Sequence, residues 1–228
     1  INMRIVFFGD SITEGCFELF DDHCGGYKGV TDAQSGYVHL LSQRLSKRFP
    51  HKNIEVLNAG IGGNTSSDGL ARVKRDVIDK KPDIAVVCFG LNDILNTAPE
   101  VYKSNIDGIL CALRKNGIKS VFMTPNMVNT YVHNRCLSVL NGMAKNCAER
   151  QNYGTVDMLM NIAVECAKRN GTEVCDVYSV WKQLQDYGID TTELLSNYIN
   201  HPIRPMHKLF ADELEKKLSY IIENDKEN

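Results

Sequence analysis

The sequence contains no long hydrophobic run and no excess of charge of one sign. No apolar stretch approaches the roughly 20 residues that a helix needs to span a bilayer, and the N-terminal segment has no signal-peptide core. The 228 residues include 26 basic and 28 acidic side chains, scattered along the chain, for a formal net charge of −2. These absences argue against membrane insertion and nucleic-acid binding, and we expect a soluble, cytoplasmic protein.

The first two residues, Ile1 and Asn2, precede a methionine. We therefore expect them to be remnants of cloning and Met3 to be the natural start. Apolar residues make up 43% of the chain and charged residues 24%, which is typical of a protein that packs a hydrophobic core. The length fits one α/β domain, and we expect a single domain over residues 3–224.

The eight cysteines form no Cys-x-x-Cys pair. Since disulfides are rare in the cytosol, we expect reduced and mostly buried thiols. Cys16, His23 and Cys24 lie close together in sequence, but a second pair of ligands at zinc spacing is missing. We therefore expect no metal site and no cofactor.

Short apolar runs alternate with segments of helical periodicity. Runs typical of buried strands occupy residues 4–8, 54–57, 84–89, 120–123 and 173–177. Apolar residues at helical spacing occupy residues 37–49, 101–113, 156–167 and 209–222. This alternation predicts a three-layer α/β/α sandwich with a mainly parallel, doubly wound sheet. Residues 14–35, rich in glycine, aspartate and aromatic residues, are interpreted as an inserted surface loop.

Polar clusters follow three of the predicted strands at the points where the strands end. Gly9, Asp10 and Ser11 follow the first strand, residues 58–65 follow the second, and residues 90–93 follow the third. In an open parallel sheet the ligand site lies at the carboxyl ends of the strands. We therefore expect these clusters to meet in one site.

Ser11 is the candidate nucleophile, and a serine hydroxyl needs a base that removes its proton. Among the six histidines, His201 is the best candidate, because it lies in a proline-containing loop before the last predicted helix. His207 is the second candidate. Other histidines lie on an amphipathic helix or in polar segments that look like surface: His39, His51 and His133.

Acyl transfer also needs hydrogen-bond donors for the negative charge that develops on the carbonyl oxygen. Backbone N–H groups of the glycine-rich turn at residues 60–63 and the side-chain amide of Asn92 are candidates. The same turn could instead hold a phosphate, but Thr65 stands where a Rossmann fingerprint needs glycine, and the Gly-Lys pair of a P-loop is missing. The chain also lacks a Gly-x-Ser-x-Gly elbow, which argues against the other large serine-esterase fold.

Together, these clusters resemble the four sequence blocks of the SGNH hydrolases, also called GDSL esterases and lipases. The blocks occur in the family's order and span nearly the whole chain. The resemblance implies a flavodoxin-like α/β fold and a serine esterase. The blocks are Gly9-Asp10-Ser11-Ile12, residues 58–65 (NAGIGGNT), Gly90-Leu91-Asn92-Asp93 and His201-Pro202.

The resemblance also implies a role for each matched residue. Ser11 would attack the carbonyl of an ester while His201 acts as general base, and water activated by His201 would then hydrolyse the acyl-enzyme. The N–H groups of Ser11 and Gly63 and the amide of Asn92 would form the oxyanion hole. Two carboxylates would have a supporting role, through hydrogen bonds that hold loops: Asp10 and Asp93.

The sequence departs from the family at Tyr198. The family carries an aspartate at this position, three residues before the histidine, where it orients the imidazole and stabilises its charged form. The nearest upstream carboxylates, Glu193 and Asp190, are eight and eleven residues from His201. Either a main-chain carbonyl near residues 198–200 accepts the Nδ1 proton, or a carboxylate arrives from elsewhere. Without an adjacent anion we expect a His201 pKa near ~6.5, which Tyr198→Asp would raise.

The resemblance favours hydrolysis of short-chain O-acyl esters, with a carbohydrate acetylesterase as one form. The substrate would be a small-molecule ester such as an acetylated sugar, and the sequence makes no prediction of the oligomeric state. Two alternatives stay open: a lysophospholipase or thioesterase, and a catalytically silent binding module that the missing aspartate would explain. A long acyl chain needs an apolar channel, whereas the polar residues of segment 14–35 favour short acyl groups: Asp21, Asp22, His23 and Lys28.

Overall fold

The computed structural model describes residues 2–224, in which strands and helices alternate. The strands are β1 (Asn2–Gly9), β2 (Cys16–Asp21), β3 (Tyr27–Thr31), β4 (Asn53–Gly60), β5 (Ile84–Cys88), β6 (Lys119–Thr124) and β7 (Glu173–Asp176). The α-helices are α1 (Ser11–Glu14), α2 (Tyr37–Arg48), α3 (Ser66–Asp76), α4 (Asp93–Asn96), α5 (Pro99–Lys115), α6 (Asn141–Asn152), α7 (Thr155–Arg169), α8 (Val177–Asp186) and α9 (Arg204–Glu223).

Five strands form the central sheet in the order β4-β1-β5-β6-β7, and all neighbouring pairs are parallel. This is the strand order of flavodoxin-like doubly wound sheets. Helices α2 and α9 pack together in one layer, whereas α3 packs on α5 and α5 on α7 in the other. The predicted three-layer α/β/α sandwich with a mainly parallel, doubly wound sheet is confirmed.

The direction of winding changes between β1 and β5. From β1 the chain passes to β4 on one side, and it then returns to place β5 on the other side of β1. The last residues of the two strands, Gly9 and Cys88, are partners in the sheet. The segments that follow β1 and β5 therefore enter the same crevice, which is where ligands bind in doubly wound sheets.

The core forms because the central strands are apolar on both faces and the covering helices are apolar on one. Strand β5 is buried along its whole length. Along α9, apolar residues four positions apart turn to the sheet, and Ala substitution of such a side chain typically lowers the free energy of unfolding by about 2–5 kcal/mol. The fully buried members of this stripe are Phe210, Leu214, Leu218 and Ile222.

The prediction that residues 14–35 form a surface loop is wrong. Glu14 ends α1, and β2 and β3 pair as an antiparallel hairpin, called the active-site hairpin below (residues 16–31). Phe17 in β2 is fully buried. The glycine and aspartate residues that suggested a loop are concentrated at the hairpin tip, where Asp22 accepts hydrogen bonds from the backbone N–H groups of Cys24 and Gly26, both at 2.8 Å.

The four predicted helical segments correspond to α2, α5, α7 and α9, whereas α6 and α8 were not predicted. The buried face of α6 consists of small or polar residues: Ala144, Cys147, Ala148 and Gln151. The sequence of α6 therefore lacks the periodic large apolar residues that predict a helix. Residue 1, one of the two expected cloning remnants, lies outside the described residues, whereas Asn2 pairs with Asn53 in the sheet. Among residues 2–224 we find no helix of the length and apolarity that crossing a membrane requires.

Candidate active site

Ser11 and His201 meet at the crevice although 190 residues separate them. Ser11 is the first residue of α1, and Asp10 caps this short helix by accepting a hydrogen bond of 3.0 Å from the N–H of Ile12. The Ser11 Oγ lies 3.0 Å from the His201 Nε2, and both residues are buried. This is the distance that proton transfer from a nucleophile to a base requires.

The other ring nitrogen of His201 faces a main-chain carbonyl. Its Nδ1 lies 2.9 Å from the carbonyl oxygen of Phe17, in β2 of the active-site hairpin. A carbonyl can only accept, so Nδ1 carries the proton and Nε2 is free to accept the Ser11 proton. The sequence left open whether a main-chain carbonyl or a distant carboxylate accepts the Nδ1 proton. The structure shows a main-chain carbonyl, which belongs to residue 17 and not to residues 198–200.

The loop before His201 is held by one asparagine side chain. The Asn197 Oδ1 accepts hydrogen bonds from the N–H groups of Ile199, Asn200 and His201, at 3.0, 2.9 and 2.9 Å. Tyr198 lies in the left-handed region at φ 58°, and its ring stacks on that of His133 with centroids 4.2 Å apart. This role of Asn197 was not predicted, because an uncharged residue beside the family's aspartate position gives no sign of it.

Burial lowers the pKa of His201 to about 4, which outweighs the opposite effects of the Phe17 carbonyl and the Glu18 carboxylate. The expectation of a pKa near ~6.5 is therefore wrong, because it considered the missing anion and not the loss of solvent. The substitution Tyr198→Asp is no longer expected to supply the acceptor that orients His201, since the Phe17 carbonyl already accepts the Nδ1 proton.

The candidate oxyanion donors line the same cleft. Gly62, Gly63 and Asn92 surround it together with Ser11 and His201, and the cleft encloses about 430 Å³. Gly63 has φ 76°, a conformation that glycine adopts without strain. The Asn92 amide donates a hydrogen bond of 2.9 Å to the carbonyl of Asn64, which ties it to the glycine-rich turn.

Asp10 and Asp93 bind the N-terminal ends of helices α1 and α3, and not loops as expected. The Asp93 carboxylate accepts hydrogen bonds from the N–H and hydroxyl of Ser66, with a shortest distance of 2.6 Å. Within the described part of the chain, Asp10 Oδ2 has no hydrogen-bond partner. Burial raises the pKa of Asp10 to about 7 and also raises the pKa of Asp93.

Two other histidines, His207 and His133, have environments that were not predicted. His207, the second candidate for the base, is fully buried, and its Nδ1 accepts a hydrogen bond of 3.1 Å from the N–H of Tyr37. It therefore has no access to the cleft. The expectation that His133 lies in a surface context is wrong, because stacking on Tyr198 leaves it only 9% exposed, and its Nε2 lies 2.9 Å from Glu193.

A buried arginine joins the strand ends below the site. The Arg72 guanidinium donates hydrogen bonds to the carbonyls of Gly9 at 2.8 Å and Ala59 at 2.9 Å, and to the Asn64 side chain at 2.7 Å. It also lies over the ring of Phe8, 4.5 Å from the centroid. Arg72 thus connects the segment that carries Ser11 with the glycine-rich turn. This role was not predicted, because one arginine on a polar helix carries no distinctive signal.

The family model for the GDSL-like lipase/acylhydrolase family matches residues 7–209, and the chain belongs to this family. Its relatives include the acetylxylan esterase of Geobacillus stearothermophilus, 36% identical over 91 residues, which are 40% of each protein. Esterase TesA of Pseudomonas aeruginosa is 32% identical over 106 residues, or 44% of this chain and 52% of TesA. The matched segments thus span about half the length of these relatives.

Solved structures show the same fold. LAE5, an alpha/beta hydrolase enzyme from the metagenome of Lake Arreo, superposes with a TM-score of 0.68 at 26% identity, over 93% of both chains. The acetylxylan esterase Axe2 of Geobacillus stearothermophilus superposes with a TM-score of 0.70 at 19% identity, over 94% of this chain and 93% of Axe2. The likeness therefore extends over the whole sandwich.

Proposed function

We propose that the protein is a serine esterase that hydrolyses short-chain O-acyl esters through an acyl-enzyme. The observation that carries the proposal is the 3.0 Å contact between Ser11 Oγ and His201 Nε2, with Nδ1 directed at the Phe17 carbonyl. This arrangement leaves a neutral imidazole with its free lone pair toward the hydroxyl. It argues against the catalytically silent alternative, because the carbonyl replaces the missing aspartate as the acceptor for Nδ1.

In the first half of the reaction, His201 takes the Ser11 proton as Oγ attacks the ester carbonyl carbon. The negative charge on the carbonyl oxygen is held by the N–H groups of Ser11 and Gly63 and the Asn92 amide. His201 then gives its proton to the leaving alcohol as the carbon–oxygen bond breaks. In the second half, His201 takes a proton from water, the hydroxide attacks the acyl-enzyme, and Ser11 leaves with the proton returned.

An acetylated sugar is the substrate class that we propose, supported by the acetylxylan esterase among the relatives. The polar residues Asp21 and Asp22 do not favour short acyl groups, because they lie at the hairpin tip. The cleft side of the hairpin is instead formed by Cys16, Leu19 and Tyr27. The preference for short acyl groups therefore depends on the relatives.

A second candidate, an esterase or thioesterase for longer acyl chains, is favoured by the apolar groups around the cleft. Leu19, Tyr27 and Met143 line it, and Tyr27 and Met143 are 46% and 37% exposed. Such groups would cover an acyl chain and release water from its surface. Turnover of p-nitrophenyl esters of increasing chain length distinguishes the two candidates.

The test of the proposed function combines labelling with turnover. We expect a fluorophosphonate to label the wild type and not Ser11→Ala, and Ser11→Ala to lose hydrolysis of acetylated xylo-oligosaccharides. Its thermal unfolding should stay close to that of the wild type, since a turn hydroxyl is exchanged for hydrogen. EDTA should leave activity intact. A folded Ser11→Ala protein that retains turnover would remove Ser11 as the nucleophile.

A further inference from the structure

The carbonyl that orients His201 belongs to an element outside the central sheet. In the described residues, β2 pairs with β3 and with no strand of the main sheet. All five residues of β3 are exposed. A two-stranded hairpin has little stability of its own in water, so other contacts must hold the Phe17 carbonyl in place.

The side chain of Arg204 provides such contacts from the beginning of α9. Its guanidinium donates to both carboxylate oxygens of Glu18, with the Nη2–Oε2 distance at 3.2 Å, and its Nε donates to the Asp32 Oδ2 at 3.0 Å. The guanidinium carbon also lies 4.3 Å from the centroid of the Phe17 ring. One side chain therefore binds the hairpin within β2 and directly after the end of β3.

These contacts close a ring that includes His201. Glu18 directly follows Phe17, Asp32 directly follows β3, and Arg204 is three residues after His201. The ring runs from His201 through the Phe17 carbonyl to Glu18, across the ion pair to Arg204, and back along the chain. A bidentate guanidinium–carboxylate pair fixes the orientation of the two groups as well as the distance between them. Such a pair can therefore hold the backbone of β2 in one position.

We propose that Arg204 is a positioning residue for His201, which acts by holding the active-site hairpin so that the Phe17 carbonyl stays against Nδ1. The inference rests on the proposed function of Ser11 and His201. Without the ion pairs the hairpin can move away, and the imidazole can adopt the tautomer with its proton on Nε2. That tautomer cannot accept the Ser11 proton.

The solvent exposure of the Arg204–Glu18 ion pair indicates that the pair positions His201 and contributes little to the stability of the fold. The side chains of Arg204 and Glu18 are 41% and 31% exposed, and ion pairs with such exposure add little to the free energy of unfolding. Catalysis responds more strongly, because a shift of about 1 Å in a reacting group can lower turnover about 10²-fold.

The matched control is Arg44, which also joins α9 to another element. From α2 it donates to Asp212, and to Glu215 at 3.3 Å, with the Arg44 side chain 30% exposed. Both carboxylates lie eight or more residues beyond Arg204 in the chain. The substitution Arg44→Met thus removes a similar ion pair of α9 that does not involve the hairpin.

We expect Arg204→Met to lower kcat for an acetyl ester by roughly 10- to 100-fold with KM nearly unchanged. Arg204→Lys should recover part of the loss, and Arg44→Met should stay within about twofold of the wild type. Glu18→Gln combined with Arg204→Met should show less than additive loss, since the two residues form one contact. Equal losses in Arg44→Met and Arg204→Met, or an unchanged kcat in folded Arg204→Met, would overturn the proposal.

Imidazole nitrogen NMR adds a measurement that needs no substrate. The wild type should show His201 with the proton on Nδ1, Arg204→Met a mixture of tautomers, and Arg44→Met the wild-type signals. A single Nδ1-protonated form in Arg204→Met would also overturn the proposal. A wild type that neither reacts with fluorophosphonate nor hydrolyses esters counts against the proposed function alone, because the tautomer comparison still tests the position of His201.

Discussion

At the scale of single residues, the site depends on what burial does to ionisable groups. His201 is kept neutral and Asp10 is pushed toward its protonated form, both chiefly because they lose contact with water. The two shifts have opposite signs for the same cause, since desolvation disfavours the charged form of each group. Both shifts can be measured separately.

The acidic limit of activity should lie low. A base works in its unprotonated form, and the pKa of His201 is lowered to about 4, so kcat/KM should persist through pH 5–6 and fall as the pH drops through about 4. The measurement is kcat/KM for a neutral ester against pH, with circular dichroism to confirm folding at each pH. An acidic limb near pH ~6.5 would show that His201 is solvated during catalysis.

Asp10→Asn should reveal the raised pKa of Asp10 through stability. A carboxyl with a pKa of 3.8 unfolded and about 7 folded holds its proton more tightly in the folded protein. Its stabilising contribution is complete below pH 3.8 and is lost as the pH rises to about 7. Asparagine keeps an oxygen for the N–H of Ile12 and cannot titrate.

The measurement for Asp10→Asn is the free energy of unfolding in urea at pH 5 and pH 8. Between these values the wild type should lose stability relative to the variant. The opposite contribution of His201, whose lowered pKa favours the folded protein as the pH rises, is present in both proteins and cancels. A difference between the two proteins that stays constant with pH would contradict the raised pKa of Asp10.

At the scale of secondary-structure elements, α1 can carry Ser11 over the sheet because the strands beneath it end in glycine. A Cβ on Gly9 would lie 2.2 Å from the Thr13 Oγ1, and one on Gly60 would lie 2.2 Å from the Glu14 N–H nitrogen. These distances leave no space for a side chain. The family's glycines at these strand ends thus have a packing role apart from oxyanion binding.

Gly60→Ala should therefore be strongly destabilising. The added methyl meets the backbone of α1, which cannot yield without moving Ser11, so we expect a loss of about 1–3 kcal/mol or more in the free energy of unfolding. Esterase activity should fall as well. Gly142→Ala in α6 is the control, because its Cβ meets nothing within 4 Å and alanine is the better helix former, so this variant should not lose stability. Similar stability of the two variants would refute the close packing of α1.

At the scale of the whole molecule, the cysteines belong to the interior. All eight are free, and six of them are buried: Cys16, Cys88, Cys136, Cys147, Cys166 and Cys175. Burial raises the pKa of Cys147 and Cys175 to about 12, so little reactive thiolate forms at these positions. Such thiols suit a reducing compartment, and the cytoplasmic location remains a prediction.

Thiol titration tests this arrangement. In the native protein without reductant, Cys24 should react rapidly with Ellman's reagent and the half-buried Cys111 more slowly. After denaturation all eight thiols should react. Fewer than eight thiols in the denatured protein would indicate disulfides, and would count against the predicted cytoplasmic location.

The sequence alone sufficed for the fold class and for placing Ser11, Gly63 and Asn92 in the segments that follow strands. A buried parallel strand and the polar turn after it are consecutive residues, so both appear in a short window of sequence. The same holds for the large helices, whose apolar stripes are local patterns. The active-site hairpin was missed because its two strands show no regular alternation of apolar and polar residues.

The tertiary structure alone decided what orients His201. The acceptor for Nδ1 is the carbonyl of Phe17, 184 residues away in the chain, and the ion pair beside it joins Arg204 to Glu18 over 186 residues. Every residue has a main-chain carbonyl, so none is marked as an acceptor by its side chain. The pKa of His201 likewise depends on how much solvent the folded chain excludes, which only the packed structure determines.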